Sequence, residues 1–230
     1  GIDPEHVAAI VAEPVQGEGG FIAPPKGYFQ EVAGLCKENG ILFVADEIQS
    51  GMGRTGKMFA IEHWGVEPDL MTVAKSIAAG MPLSAVVGRA EIMDSVHPGG
   101  IGGTYGANPV SCAAGLAVME IFEEEHLLEK SVKLGNTLLA RFKKWQKEFT
   151  LVNEVRGLGA MLGLALTRAD GTPAADEAKK LAAYCYDRGL IILVCGIYGN
   201  VIRVLTPFVI TDEQLEKGLS IMEEGFKAID

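Results

Sequence analysis

Two short apolar runs in this chain each end in an ionisable residue that packing alone would not select. Ile41–Ala45 leads into Asp46, followed by Glu47, and Leu70–Ala74 leads into Lys75. Runs of this kind read as buried strands. In open α/β sheets, ligands bind at the carboxyl ends of the strands. An acid and a lysine delivered to two such ends suit one chemistry. A lysine amine condenses with an aldehyde to form a Schiff base, and a carboxylate beside a ring nitrogen keeps that nitrogen protonated. These are the two groups that pyridoxal phosphate needs in order to act as an electron sink. Taken singly, Asp46 reads equally well as a helix cap or half of an ion pair, and Lys75 as a solvated strand end. Together, with glycine-rich stretches nearby in the chain, they favour the chemical reading.

The elements that must position this pair can be read in order. Val7–Ala12 is a strand that empties into EPVQGEGGF, Glu13–Phe21, a loop with two carboxylates and three glycines. Pro24–Pro25 precede a helix whose Tyr28, Phe29, Val32, Leu35 and Cys36 fall on one face, with Gly40 as its C-cap. Ser84–Gly88 is a further strand. Gly99–Asn108 is glycine-rich and is expected to wrap a ligand or a partner. Asn108 and Pro109 open a helix to about Glu124. A long helix comes next, over Leu127–Phe149. Beyond it the texture changes to strands at Val152–Val155, Ala160–Leu166, Leu190–Val194 and Ile202–Leu205, with helices at Pro173–Arg188 and Thr211–Ile229. Thr211 and Gln214 spell a capping box. The chain is therefore expected to be α/β, with residues 1–149 belonging to a larger domain built on a mostly parallel sheet. Residues 150–230 form a smaller α+β domain.

Composition narrows the function. The chain has 230 residues and a formal net charge of −10, which argues against nucleic acid or an anionic membrane as partner. Cys36, Cys112, Cys185 and Cys195 show neither a CxxC pair nor zinc spacing. They read as reduced thiols of a cytoplasmic protein without a metal site. No leader and no membrane-spanning run is evident. The chain opens without Met, and residues upstream are expected. Gly51, Gly53 and Gly56 spell GxGxxG after a strand. In the dinucleotide-binding motif the glycines follow the strand directly and open a helix. Here Asp46–Ser50 intervene and Lys57–Gly65 has little helical pattern, so that reading is set aside.

Four segments carry a family resemblance: EPVQGEGGF, FVADEIQSGMGRTG, AKSIAAGMPLSAVVGR and GGTYGANPVSCAAG. In this order and spacing they resemble the class III, or omega-type, aminotransferases, over the chain from about Val7 onward. The resemblance implies the pyridoxal-phosphate fold type I. It also implies transfer of an amino group from an omega-amino acid, 4-aminobutyrate first among the donors, to 2-oxoglutarate. Ornithine, acetylornithine, beta-alanine or putrescine are the alternative donors. A non-catalytic dimerising or binding module that keeps the fold is the alternative from another class.

Carried over by residue, Lys75 is the implied Schiff-base lysine and proton carrier, and Asp46 the partner of the pyridine nitrogen. Ile48 packs on the ring and Gln49 approaches its hydroxyl. Thr104 is implied to bind the phosphate of the neighbouring subunit, which calls for a homodimer with shared sites, possibly a tetramer. Glu13 and Glu18 line the substrate pocket, and Arg203 in IRVLTP grips the substrate carboxylate. Ile48 reads equally as core, Glu18 as a solvated loop residue and Thr104 as a turn cap. Arg203 sits mid-strand, where a charge is costly unless paired. The family's other phosphate loop and its ring-stacking aromatic lie upstream in complete members and are not in this chain. The resemblance therefore implies the C-terminal portion of such an enzyme.

Overall fold

A short apolar strand is stable in a sheet only when neighbours satisfy its backbone and side chains cover its faces. In the computed structural model, which describes residues 2–229, the apolar runs meet this condition in two separate sheets. The chain divides into two compact units. One comprises Gly1–Pro14, Pro24–Gly53 and Lys57–Leu128, and the other Val15–Ala23, Arg54–Gly56 and Glu129–Asp230.

The first unit carries a sheet of β1 (Ala9–Ala12), β2 (Leu42–Asp46), β3 (Leu70–Val73) and β4 (Ala85–Gly88), in that order. β1, β2 and β3 are parallel and β4 returns antiparallel. Helix α1 (Tyr28–Asn39) ends at Gly40, whose left-handed backbone (φ 67°) lets its N–H bond the Cys36 carbonyl. Phe29 packs from α1 against Phe43 of β2 and Trp64, with ring centroids 5.7 and 5.1 Å away. Tyr28 and Leu35, expected on the buried face of α1, are about half exposed; they lie at the margins of the stripe centred on Phe29 and Cys36. A short helix α2 (Ala90–Met93) comes after β4. Helix α3 (Pro109–Glu124) starts as its sequence predicts. Asn108 accepts from the N–H groups of Val110 and Ser111 at 2.9 and 3.3 Å, and proline occupies the first turn, where an N–H would be idle.

The second unit has a fully antiparallel sheet in the order β5 (Val152–Leu158), β6 (Met161–Leu166), β8 (Val201–Val204), β7 (Leu193–Cys195). One face of it is apolar. Leu162, Leu164, Leu166, Ile202 and Val204 form a core with helices α4 (Leu127–Glu148), α5 (Ala175–Tyr186) and α6 (Asp212–Ile229). α4 supplies Leu134, Leu138, Phe142 and Trp145 to that core, so its packing lies in the second unit, ahead of the boundary expected at residue 150. The capping box of α6 is present, with Thr211 and Gln214 each bonding the other's backbone N–H at 3.1 Å.

The Gly51–Gly56 stretch serves packing. A Cβ on Gly51 would lie 2.7 Å from the Glu47 carbonyl. In the second unit the backbone of Thr55 and Gly56 presses on Gly159, at the turn between β5 and β6. Past Gly56 the chain forms a short 3-10 turn at Ala60–Trp64, with no cradling helix. Cys36, Cys185 and Cys195 are buried free thiols and Cys112 is half-buried. Among the described residues, no helix is long and apolar enough to cross a membrane.

Candidate active site

Parallel strands end at the same edge of a sheet, so the residues just beyond them converge there. In the first unit this edge collects Glu13, Asp46 and Lys75. Ala12 pairs with Ala45, so Glu13 and Asp46 leave β1 and β2 side by side. Asp46 pairs in turn with Thr72 of β3, and Lys75 lies three positions further along that strand's path.

Asp46 is oriented by two bonds to one oxygen. Thr72 Oγ1 and the Ile48 N–H each donate to Oδ1, at 3.1 Å. Among the described residues, neither bond uses Oδ2. Thr72 was not singled out from the sequence, although a hydroxyl within the apolar run LMTVA was a visible signal. Lys75 is exposed and opens a 3-10 turn, Lys75–Ala78, with φ at 50°. A left-handed backbone costs a non-glycine residue about 1–2 kcal/mol, and such strain concentrates where a side chain must be aimed. Helix α3 buttresses this turn through Gly115, where a Cβ would stand 3.0 Å from Leu83 and 3.5 Å from the Ile77 carbonyl.

Glu47 is a second residue that the sequence did not single out. It is 1% exposed. Its Oε2 accepts from Ser50 Oγ at 2.6 Å and its Oε1 from the Ile61 N–H at 2.7 Å. These bonds tie Ile48–Ser50 to the turn at Ala60–Trp64 and so brace the loop that carries Ile48 and Gln49, both half-buried. Burial raises the Glu47 carboxyl above its ordinary range, against the opposing effect of the Ser50 bond and the backbone N–H bonds. Thr104 is exposed at the start of a turn closed by the Gly106 N–H on the Gly103 carbonyl at 2.9 Å.

The second unit brings Glu18 and Arg203 together. Arg203 Nη1 donates to Glu18 Oε1. The arginine side chain is 17% exposed and the glutamate 68%. Arg203 Nε is buried and has no hydrogen-bond partner among the described residues. An unused N–H on a planar fork is a donor set suited to an incoming carboxylate. Arg54 is held elsewhere in this unit, bonding the Thr206 carbonyl at 2.9 Å and lying over Phe208.

An open sheet whose parallel strands deliver an aspartate and a lysine to one edge, with a small antiparallel α+β unit after it, is the fold type I of pyridoxal-phosphate transferases. Within that class the chain belongs to the class-III aminotransferase family, whose model matches residues 2–226. It is 52% identical to a probable 4-aminobutyrate aminotransferase of Bacillus subtilis, over 99% of the chain and 52% of that protein. It is 49% identical to a 5-aminovalerate aminotransferase of Pseudomonas putida, over 99% of the chain and 54% of that protein. Among solved structures, a transaminase from a marine Virgibacillus superposes with a TM-score of 0.92 at 36% identity, over 98% of this chain and 54% of the other. The chain thus spans about half the length of the curated relatives it matches.

Proposed function

We propose that this chain is the C-terminal half of a cytoplasmic, homodimeric aminotransferase that moves an amino group from 4-aminobutyrate to 2-oxoglutarate. In this reading it supplies part of the large domain and the whole small one. The residues present fit pyridoxal phosphate. Asp46 has an oriented carboxylate with Oδ2 left for a ring N–H, and Lys75 offers an exposed amine. Bound to this chain, the cofactor supplies the electron sink for breaking a C–H bond beside the amine. Asp46 would hold the ring nitrogen protonated. Lys75 would hold the cofactor through its amine, and its Nζ would carry a proton to and from the substrate carbon. Ile48 would pack on a ring face, Gln49 would approach the ring hydroxyl, and Thr104 would reach the phosphate in the neighbouring subunit. Glu13 lines the pocket on the substrate side.

The observation that carries the substrate reading is the Glu18–Arg203 pair. An omega-amino acid has one carboxylate, far from its amine, whereas glutamate has a second one beside its amine. With Glu18 on Arg203, the positive charge is masked and the omega-amino acid is accepted. When the α-carboxylate of glutamate or 2-oxoglutarate takes Arg203 through its planar fork, Glu18 leaves. 5-Aminovalerate has the same single distal carboxylate, and the likeness to the Pseudomonas enzyme supports it as the second donor to try. The test is the kinetics of each half-reaction in full-length Glu18→Gln, after an amino-donor screen on the unchanged protein. A marked loss with the omega-amino donor and little loss with glutamate is expected. Equal losses, or none, reject the switch.

A further inference from the structure

A Glu18 switch needs a motion and a destination, and the second unit restricts both. The three glycines around Glu18 suggest a mobile loop, but the loop is held down. Gln16 and Ile22 bond each other's backbone at 3.0 and 3.2 Å, and the Gly196 N–H donates to the Glu18 carbonyl at 2.9 Å. Val15 and Phe21 are fully buried. Gly20 is needed for its backbone (φ 120°), and its Cβ position would lie in ordinary contact with Gly196 Cα at 3.4 Å. The backbone at Glu18 is therefore fixed, and the carboxylate can leave Arg203 only by side-chain rotation.

The sheet face beneath the loop shows where it can go. Arg156 of β5 pairs with Gly163 of β6, and Gly163 pairs with Arg203 of β8. Directly paired residues share a face, so the two arginines flank one glycine in a single cross-strand row. At two strand spacings their backbones are about 10 Å apart. The gap at Gly163 is filled from the loop: a Cβ there would stand 3.4 Å from Phe21 Cβ. Arg156 reaches the loop as well, its Nη1 lying 3.5 Å from where a Gly20 Cβ would be. Its Nε is bound to Glu154 at 2.7 Å, while Nη1 and Nη2 carry no hydrogen bond among the described residues. The Arg156 side chain is 29% exposed. The buried thiol of Cys195 responds to the same three charged groups: burial pushes it up to about 11, Arg203 and Arg156 lower it, and Glu18 raises it.

We propose that Arg156 is the second station of the Glu18 carboxylate, taking it by rotation of the side chain when a dicarboxylate claims Arg203. The proposal rests on the switch reading and adds its destination. Arg156 is then a positioning residue that sets specificity for glutamate and 2-oxoglutarate without touching them. A displaced carboxylate left beside its former site would compete for Arg203, and a cation within a rotamer's reach removes that competition.

The experiment uses the full-length protein and two readouts. The first is calorimetric binding of glutarate, a dicarboxylate with no amine or keto group to react. The second is the kinetics of both half-reactions. Arg156→Gln is expected to weaken glutarate about tenfold, the worth of one charge-assisted bond. It is expected to slow the glutamate half-reaction through the apparent substrate affinity and to leave the omega-amino half-reaction within about twofold. Arg156→Lys keeps the charge and restores most of the loss, and thermal melting of both variants monitors the fold. In a Glu18→Gln background, Arg156→Gln is expected to have no further effect on glutarate. Equal losses in both halves, or a glutarate loss that persists without the Glu18 charge, overturn the assignment of Arg156 alone. Glu18→Gln that fails to separate the two halves overturns the switch itself, and Arg156 with it.

Discussion

At Asp46 both structural hydrogen bonds arrive at Oδ1, so the carboxylate is oriented without using its second oxygen. Asp46→Asn keeps an acceptor for Thr72 and Ile48 but replaces the remaining oxygen by a donor. The fold is therefore expected to survive and turnover of the full-length protein to fall. A charge-assisted bond is worth roughly 1.5–3 kcal/mol, or about one to two decades in rate. Near-normal turnover in the variant would remove Asp46 from the chemistry. In the unchanged protein, borohydride reduction and peptide mapping are expected to find the pyridoxyl group on Lys75. Glu47 gives a pH prediction. Its carboxyl is raised by burial, so the fold favours the neutral form. Its contribution to stability is complete below the ordinary glutamate value of about 4.3 and is lost as pH rises through the raised folded value. Glu47→Gln, which preserves the shape, is expected to flatten that fall in melting temperature. Parallel pH profiles for the two proteins would show that Glu47 does not titrate with folding.

Among the elements, the turn between β5 and β6 depends on a glycine for two reasons at once. Gly159 has φ at 55°, and a Cβ there would come within 2.3 Å of the Thr55 carbonyl carbon. Gly171 has φ at 85° but open space around it. Gly171→Ala is expected to cost only the backbone penalty, about 1–2 kcal/mol. Gly159→Ala adds an overpacking cost of typically about 1–3 kcal/mol. Denaturant midpoints of the two variants test the ranking, and similar midpoints would mean that the Arg54–Gly56 segment yields without cost. The segment that ends the GxGxxG stretch is the one pressed against Gly159. In the second unit a backbone is pressed against a backbone, and only glycine leaves room for that.

Over the whole molecule, helix α3 marks the part of the structure that needs cover. Its residues are apolar nearly all round, yet only Ser111, Gly115 and Phe122 are buried, while Val110 and Leu116 are 64% and 68% exposed. A helix of that pattern belongs in an interior. The chain spans about half the length of its relatives, and in the proposed reading the main phosphate loop lies in the part of them that it does not cover. Backbone N–H groups at helix starts are a large source of phosphate affinity. The 230-residue chain is therefore expected to bind pyridoxal phosphate far more weakly than the full-length protein. Titration of both with the cofactor, monitored by visible absorbance, is the measurement. Equal affinity would show that Asp46, Lys75 and their neighbours suffice.

The sequence by itself determined what depends on neighbours along the chain. Strand runs ending in Asp46 and Lys75, the Asn108–Pro109 helix start and the Thr211–Gln214 capping box are local patterns, and each appears where its residues put it. A mid-strand charge at Arg203 announced a partner for the same reason, since a half-buried guanidinium cannot stand alone. Tertiary structure decided everything that joins distant segments. It set Thr72 against Asp46, buried Glu47 under the Ala60–Trp64 turn and packed α4 on the second sheet. It also fastened the glycine-flanked loop around Glu18 by backbone hydrogen bonds to Ile22 and Gly196. Arg156 fell just past the strand expected over Val152–Val155, and the structure carries β5 on to Leu158. Only strand register, which no single stretch encodes, put both arginines on the face that the Glu18 loop covers.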